Sequence, residues 1–290
     1  MDKYIEKIIK IIETNLDRRG MNKISSAKEF KSSTKELLKS TTVFIVTGFP
    51  VKDALIGETD GPIGAISLAK ALEKLGKKVI IITDSYSKEL LETCSKLKDF
   101  KGNLEIINKE NAEKTCDELI KKYNPSHIVA VERPSKAKDN RFYSMTGEDI
   151  TEYVANTDTF FNNSNSVTIA IGDGGNEIGM GKIYDHIKRE VKFGEKICAV
   201  TKVDHLIVSG VSNWGAHGLV AAISVLTNKL LLHDCQREYE LLKGITEIGS
   251  VDGYTKKNTL SVDGFSLESN LRIIEKLITI FDESQKQMLA

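Results

Sequence analysis

The stretch Gly172-Asp173-Gly174-Gly175-Asn176-Glu177-Ile178-Gly179-Met180-Gly181 places five glycines, two acids and an amide within ten residues. A plain turn uses one or two glycines. This density therefore predicts a binding or catalytic loop in which Asp173, Glu177, Asn176 and the backbone of Gly174 and Gly175 face a polar ligand or a cation. The plainer alternative is a turn capped by Asn176. A second cluster, Gly57-Glu58-Thr59-Asp60-Gly61-Pro62-Ile63-Gly64, has glycines for close backbone approach and a proline suited to the first turn of a helix, whose N-terminus favours an anion. Glu58 and Asp60 would repel a phosphate there unless a metal or an ammonium group lay between; a tight loop with Asp60 as helix cap is the alternative. The cluster is neither G-x-G-x-x-G nor a Walker A loop, so it carries no dinucleotide or nucleoside triphosphate reading.

A third cluster, Ser209 to Gly218, offers the Ser212 hydroxyl and the Asn213 amide at a helix start, a cradle for a carboxylate. The tryptophan there, Trp214, packs at the loop base or faces the ligand, and His217 reads as a helix surface or core histidine before a catalyst. Lysines outnumber arginines 34 to 7, and two of the seven, Arg133 and Arg141, fall in the segment Glu132 to Tyr143. Their planar forks suit a substrate carboxylate, against the alternative of a solvated basic loop. Asp252, in Gly249 to Thr255, sits beside a glycine in what reads equally as a turn. Together these residues predict a crevice of mixed polarity, with Glu58, Asp60, Asp173 and Glu177 (and Glu132 and Asp252 as further acids) opposite Arg133 and Arg141. Such a crevice suits a small zwitterion.

The elements that must position them alternate. Ile5, Ile8, Ile9 and Ile12 form one apolar stripe, and a second helix is expected from Ser26 to Leu38, so residues 1–40 read as an N-terminal helical arm. Strands are expected at Val43–Val46, Val79–Ile82, Leu104–Ile107, His127–Val131, Val167–Ile171 and Ile197–Val200, with an apolar stretch at Leu206–Val208. Helices are expected at Ile63–Leu75, Lys88–Leu97, Asn111–Tyr123, Ile150–Phe161, Glu177–Glu190, Ala216–Leu232, Gln236–Leu242 and Leu267–Ile280. Strands separated by helices of this length predict an α/β fold, a largely parallel sheet with helices on both faces, over a single domain 41–290. In such sheets ligands sit at the carboxyl ends of the strands, where the glycine-rich clusters fall.

The chain is 40% hydrophobic and 28% charged, which builds a core and excludes disorder as its main description. Lys+Arg and Asp+Glu each total 41, so no net field draws the surface to nucleic acid or to an anionic membrane. No run approaches the roughly 18 apolar residues of a membrane span, and the amphipathic start Met-Asp-Lys-Tyr-Ile-Glu-Lys is no secretory leader, so the default location is cytoplasmic. Cys94, Cys116, Cys198 and Cys235 are far apart, and neither a disulfide framework nor a structural zinc is expected of them. The apolar stripe of the first helix offers a face on which a second copy of the chain could pack, a homo-oligomer.

The motifs E-T-D-G-P-I-G-A, E-R-P-x(6)-R-F-Y-S-M-T-G-E-D-I, G-D-G-G-N-E-I-G-M-G, S-N-W-G-A-H-G-L and V-D-G-Y-T, spread over residues 41 to 260, resemble the D-glutamate cyclase family. Tyr254 stands where a smaller residue is expected. The resemblance implies a lyase that cyclises D-glutamate to 5-oxo-D-proline and water. Asp173, Glu177 and Glu58 would then share acid and base work, Arg133 and Arg141 would hold substrate carboxylates, and Ser212, Asn213, Gly174, Gly175 and Asn176 would orient the substrate. A divalent cation, magnesium or manganese, held by Asp60, Glu58 and Asp173, is a further expectation. The alternatives from the residues are a phosphate- or nucleotide-handling α/β enzyme and a non-catalytic amino-acid-binding protein.

Overall fold

Short runs of β-branched and aromatic residues, buried on both faces except at the half-exposed edge strand Asn103–Ile107, become the strands of one sheet in the computed structural model, which describes residues 2–289. The strands are β1 (Thr42–Thr47), β2 (Lys78–Asp84), β3 (Asn103–Ile107), β4 (His127–Val131), β5 (Val167–Gly172) and β6 (His205–Val208). They pair in parallel in the order β3-β2-β1-β4-β5-β6. The chain thus winds outward in one direction from β1 and in the other from β4, which opens a crevice above the carboxyl ends of those two strands.

Alternation along each strand divides the core in two. Val43 and Ile45, Val79 and Ile81, Val129 and Val131, and Ile169 and Ile171 face one layer. Phe44 and Val46, Ile80 and Ile82, Ile128 and Ala130, and Ala170 face the other. The first layer holds α1 (Asp2–Ile12), α2 (Ala27–Lys39), α3 (Pro62–Lys74) and α4 (Lys88–Leu97). The second holds α5 (Ala112–Tyr123), α6 (Asp158–Asn163), α7 (Tyr184–Glu190) and the single turn α8 (Gly194–Ile197). The chain ends in the first layer with α9 (Ser212–Thr227), α10 (Cys235–Glu247) and α11 (Leu267–Leu289). The α/β expectation is met, and no described helix is long and apolar enough to cross a membrane. The four cysteines are unpaired.

Three expected elements differ. Ile197–Val200 forms no strand: Ile197 ends α8, Cys198 and Ala199 are buried just beyond it, Ala199 makes a lone bridge to Ala137, and Val200 is exposed. The helix expected from Glu177 starts only at Tyr184 after a 3-10 turn, because the Glu177 side chain bonds the N–H groups of its own loop and Gly179 adopts φ 95°. The helix expected over Ile150–Phe161 breaks after Tyr153, where the Arg133 side chain takes the Ala155 carbonyl and the Thr157 hydroxyl.

The apolar stripe of α1 is covered within its own chain. Ile5, Ile8, Ile9 and Ile12 are buried against α9 and α11, so this stripe is not left for a second copy. Residues after α1 also close the sheet edge, since the Ser26 hydroxyl donates to the Val208 carbonyl and accepts from its N–H. The approach is tight at Gly210, whose N–H donates to the Ile12 carbonyl at 2.8 Å; a Cβ there would lie 1.9 Å from the Thr14 carbonyl oxygen. Backbone meets backbone at that point and neither can rotate away. Gly210→Ala is therefore expected to destabilise the fold by about 1–3 kcal/mol, read as a lower midpoint in urea unfolding.

Candidate active site

Four loops meet above the carboxyl ends of β1, β4, β5 and β6. The connection from β1 brings Glu58 and Asp60 to the start of α3; Glu132 directly follows β4 and Asp173 directly follows β5; the turn after β6 starts α9 at Ser212. Carboxylate oxygens of Asp60, Glu132 and Asp173 lie within 4.8 Å of one another, and all three residues are buried.

Asp60 and Asn213 hold the two helix starts together. Asp60 Oδ1 accepts the Asn213 N–H at 2.8 Å and Oδ2 accepts the Ser212 N–H at 2.9 Å, which caps α9. In return Asn213 Oδ1 accepts the N–H groups of Gly61 at 3.0 Å and Gly64 at 2.7 Å, which caps α3. Each residue satisfies donors that its partner's helix leaves unpaired. The helices touch closely enough that a Cβ on Gly64 would lie 2.8 Å from the Asn213 Cα. The Ser212 hydroxyl donates to Glu132 Oε2 at 2.6 Å, and Glu132 itself has φ 43°, an uncommon conformation for a non-glycine residue and one that collects at functional sites.

The glycine-rich loop is organised from within. Glu177 Oε1 accepts the N–H groups of Asp173 and Gly174, and Oε2 that of Gly175, so both oxygens shape the loop and neither glycine N–H is free for a ligand. Asn176 Nδ2 donates to the Tyr143 carbonyl at 2.7 Å. Asp252 likewise gathers N–H groups, those of Tyr254, Thr255 and Gly264, and orders a turn. Trp214 packs against Phe265 and donates to Asn270.

The expected arginines are placed elsewhere. Arg133 is fully buried, and its guanidinium is committed to Asp84 Oδ2, the Gly48 and Ala155 carbonyls and the Thr157 hydroxyl. Arg141 pairs with Asp149 at the surface. The guanidinium that reaches the acids is Arg19, from the 3-10 turn Leu16–Arg19, which pairs with Asp173 Oδ1 and Asp263 Oδ1. Asp263 sits in the two-residue turn between Val262 and Phe265, beside Gly264. Neither Arg19 nor Asp263 stands out in sequence. The available signals are the adjacent pair Arg18-Arg19 in a chain with few arginines, and a second Val-Asp-Gly triplet at 262–264. Arg18 is pinned in turn: its guanidinium stacks on Tyr254 at 4.1 Å and Phe265 at 4.7 Å, and it donates to the Asp263 carbonyl.

Burial, and then mutual repulsion with Asp263, raises Asp60 to about 7. Burial and neighbouring carboxylates push Glu132 well above the ordinary range. Burial does the same to Asp173 and Glu58, although Arg19 opposes it at Asp173 and Lys256 at Glu58. Asp263 is raised too. Burial works against the charge on Arg19, but Asp173 and Asp263 more than restore it. The site thus holds carboxyl groups able to keep a proton near neutrality and to give it up to a partner. It also fits a hard divalent cation: three carboxylates converge, and Asp173 Oδ2 is buried with no hydrogen-bond partner among the described residues.

A family model described as D-glutamate cyclase-like, C-terminal, matches residues 8–278, a span that includes both Arg19 and Asp263. Human mitochondrial D-glutamate cyclase is 28% identical over 239 residues, 77% of this chain. The chain spans about two fifths of that relative's length, 39%.

Acids whose pKa is raised on folding bind more protons folded than unfolded, so they favour the fold at low pH and withdraw that support as pH rises through the folded values, near 7 for Asp60. In the absence of divalent ions the melting temperature is therefore expected to be lower at pH 8 than at pH 5, by at least ~5 °C, and the slope to flatten in Asp173→Asn. Scanning calorimetry across that range measures both.

Proposed function

The chain belongs to the D-glutamate cyclase-like family, and on that premise we propose that it cyclises D-glutamate to 5-oxo-D-proline with loss of water. The observation that carries this reading is the meeting of Asp60, Glu132 and Asp173 within 4.8 Å, beside the Arg19 guanidinium.

The reaction moves two protons from nitrogen to oxygen. The substrate ammonium loses one to become a nucleophile, its nitrogen attacks the γ-carboxyl carbon, and the second leaves as the lactam forms. One γ-oxygen collects both and departs as water, so no net proton is gained or lost. A group of carboxyls with raised and unequal proton affinities suits that relay. Asp173, with an oxygen that has no partner among the described residues, takes the ammonium proton; Glu132, held by the Ser212 hydroxyl, returns a proton to the leaving oxygen. Arg19 exchanges one of its two carboxylate partners for a substrate carboxylate. Glu58 borders the same site, while Glu177 and Asn213 act as positioning residues, since their polar atoms are bound to backbone. Asp60, Glu132 and Asp173 would hold a magnesium or manganese ion, which when bound would neutralise the acids and polarise the γ-carboxylate.

A phosphate or nucleotide is less well served. The donors it would use, at the starts of α3 and α9 and along the glycine loop, already bond Asn213, Asp60 and Glu177.

Incubating the protein with each glutamate enantiomer in the presence of magnesium or manganese, and following 5-oxoproline, tests the reading. Product is expected from the D form, with a rate at least ~100-fold lower in Asp173→Asn and KM raised roughly 10- to 100-fold in Arg19→Gln. Binding without product from either enantiomer would leave an amino-acid-binding protein instead. Activity unchanged by exhaustive chelation would remove the divalent ion.

A further inference from the structure

One helical turn beyond Asn213, α9 carries His217 into a second group of ligating side chains that the chemistry above does not use. His233 lies on the connection from α9 to α10, and Glu238 in the first turn of α10. All three are buried, and one nitrogen or oxygen from each lies within 4.8 Å of the other two. Glu238 Oε2 is 2.6 Å from His233 Nε2 and 3.4 Å from His217 Nε2, and the two rings meet edge to face with centroids 5.3 Å apart.

We propose that His217, His233 and Glu238 form a site for a first-row transition metal of the zinc type, separate from the carboxylate group.

Four observations support it. His217 is 1% exposed, yet its Nδ1 has no hydrogen-bond partner among the described residues and its Nε2 has only the long 3.4 Å approach to Glu238, which is costly for a buried imidazole unless something else occupies them. His233 Nδ1 lies 3.3 Å from the Ser67 hydroxyl on α3, the outer contact that fixes a metal-binding imidazole with its other nitrogen directed inward. Two imidazoles and a carboxylate are the donor set of zinc-type ions, whereas the all-oxygen group around Asp173 suits magnesium or manganese. The 3.4 Å separation matches the edge, about 3.3 Å, of a tetrahedron with bonds of 2.0–2.1 Å, and the closer His233–Glu238 pair, at 2.6 Å, must open.

The surroundings supply the rest. His233 also lines a cleft of about 490 Å³ with Lys98, Leu232, Asp234 and Arg237, the side from which an ion would enter. A metal here would tie α9 to α10 and, through Ser67, to α3, and so brace the helix whose first turn Asp60 caps. Its removal would be felt as lost stability before lost chemistry.

The test is a cobalt titration of the demetallated full chain. Wild type is expected to bind one Co²⁺ with the visible d–d bands of a tetrahedral site, which Zn²⁺ displaces and which persist in Asp173→Asn. Glu238→Gln and His217→Gln, checked as folded by circular dichroism, are expected to lose those bands. Saturating Zn²⁺ is expected to raise the melting temperature of wild type by about 5 °C or more, and that of Glu238→Gln little. Absence of tetrahedral bands in wild type would overturn the proposal whatever the variants do. So would bands that survive in Glu238→Gln and vanish in Asp173→Asn, which would place the metal among the carboxylates.

Discussion

Two helices that begin side by side above a sheet each present backbone N–H groups with no partner inside the helix, and burying them unpaired would be costly. Here Asp60, just before α3, caps α9, while Asn213, in the first turn of α9, caps α3. The exchange joins residues about 150 positions apart and depends on Gly64 carrying no side chain at the crossing. Its consequence is geometric. It fixes the Asp60 carboxylate, and through the Ser212 hydroxyl it also fixes Glu132, so a packing requirement places two of the three converging acids.

Fixing acids in this way is electrostatically unfavourable. Glu58, Asp60, Glu132, Asp173 and Asp263 crowd one crevice, and Arg19 pairs directly with only two of them. The remaining repulsion is relieved by retained protons, as the raised proton affinities record, or by a ligand that brings positive charge. The strained backbone at Glu132 belongs to the same pattern, in which stability is given up where a ligand or a reaction needs the group held in place. Arg18, stacked between Tyr254 and Phe265, steadies the turn that carries Arg19, so the N-terminal segment takes part in the site as well as in the core.

Reading residue types in order located the loops correctly and misplaced some partners. The glycine-rich segments after β1, β5 and β6 do converge, and Asp60 and Asp173 meet there with Glu132, while Glu58 borders the group. Arg133 and Arg141 were expected to face them, but the first is held by Asp84 and three backbone or hydroxyl oxygens and the second by Asp149. Asn213, Gly174, Gly175 and Glu177 were expected to meet the ligand, yet their polar groups bond one another or the backbone and shape the walls. Arg19 escaped notice because a short turn between two amphipathic helices looks like solvated surface, and Asp263 because Asp-Gly between apolar residues looks like any hairpin turn.

Local pattern determined what depends on neighbours along the chain. Hydrophobic runs alternating with helical stripes specify the parallel sheet, and clusters of glycine and acid after those runs specify where its loops open, since both follow from spacing over a few residues. Which cation meets which acid, and which donor is already taken, was decided only when residues separated by 80 to 244 positions came together. Hydrogen bonds and ion pairs act over a few ångströms, so two arginines of the same chemistry differ in role solely by where the fold sets them down.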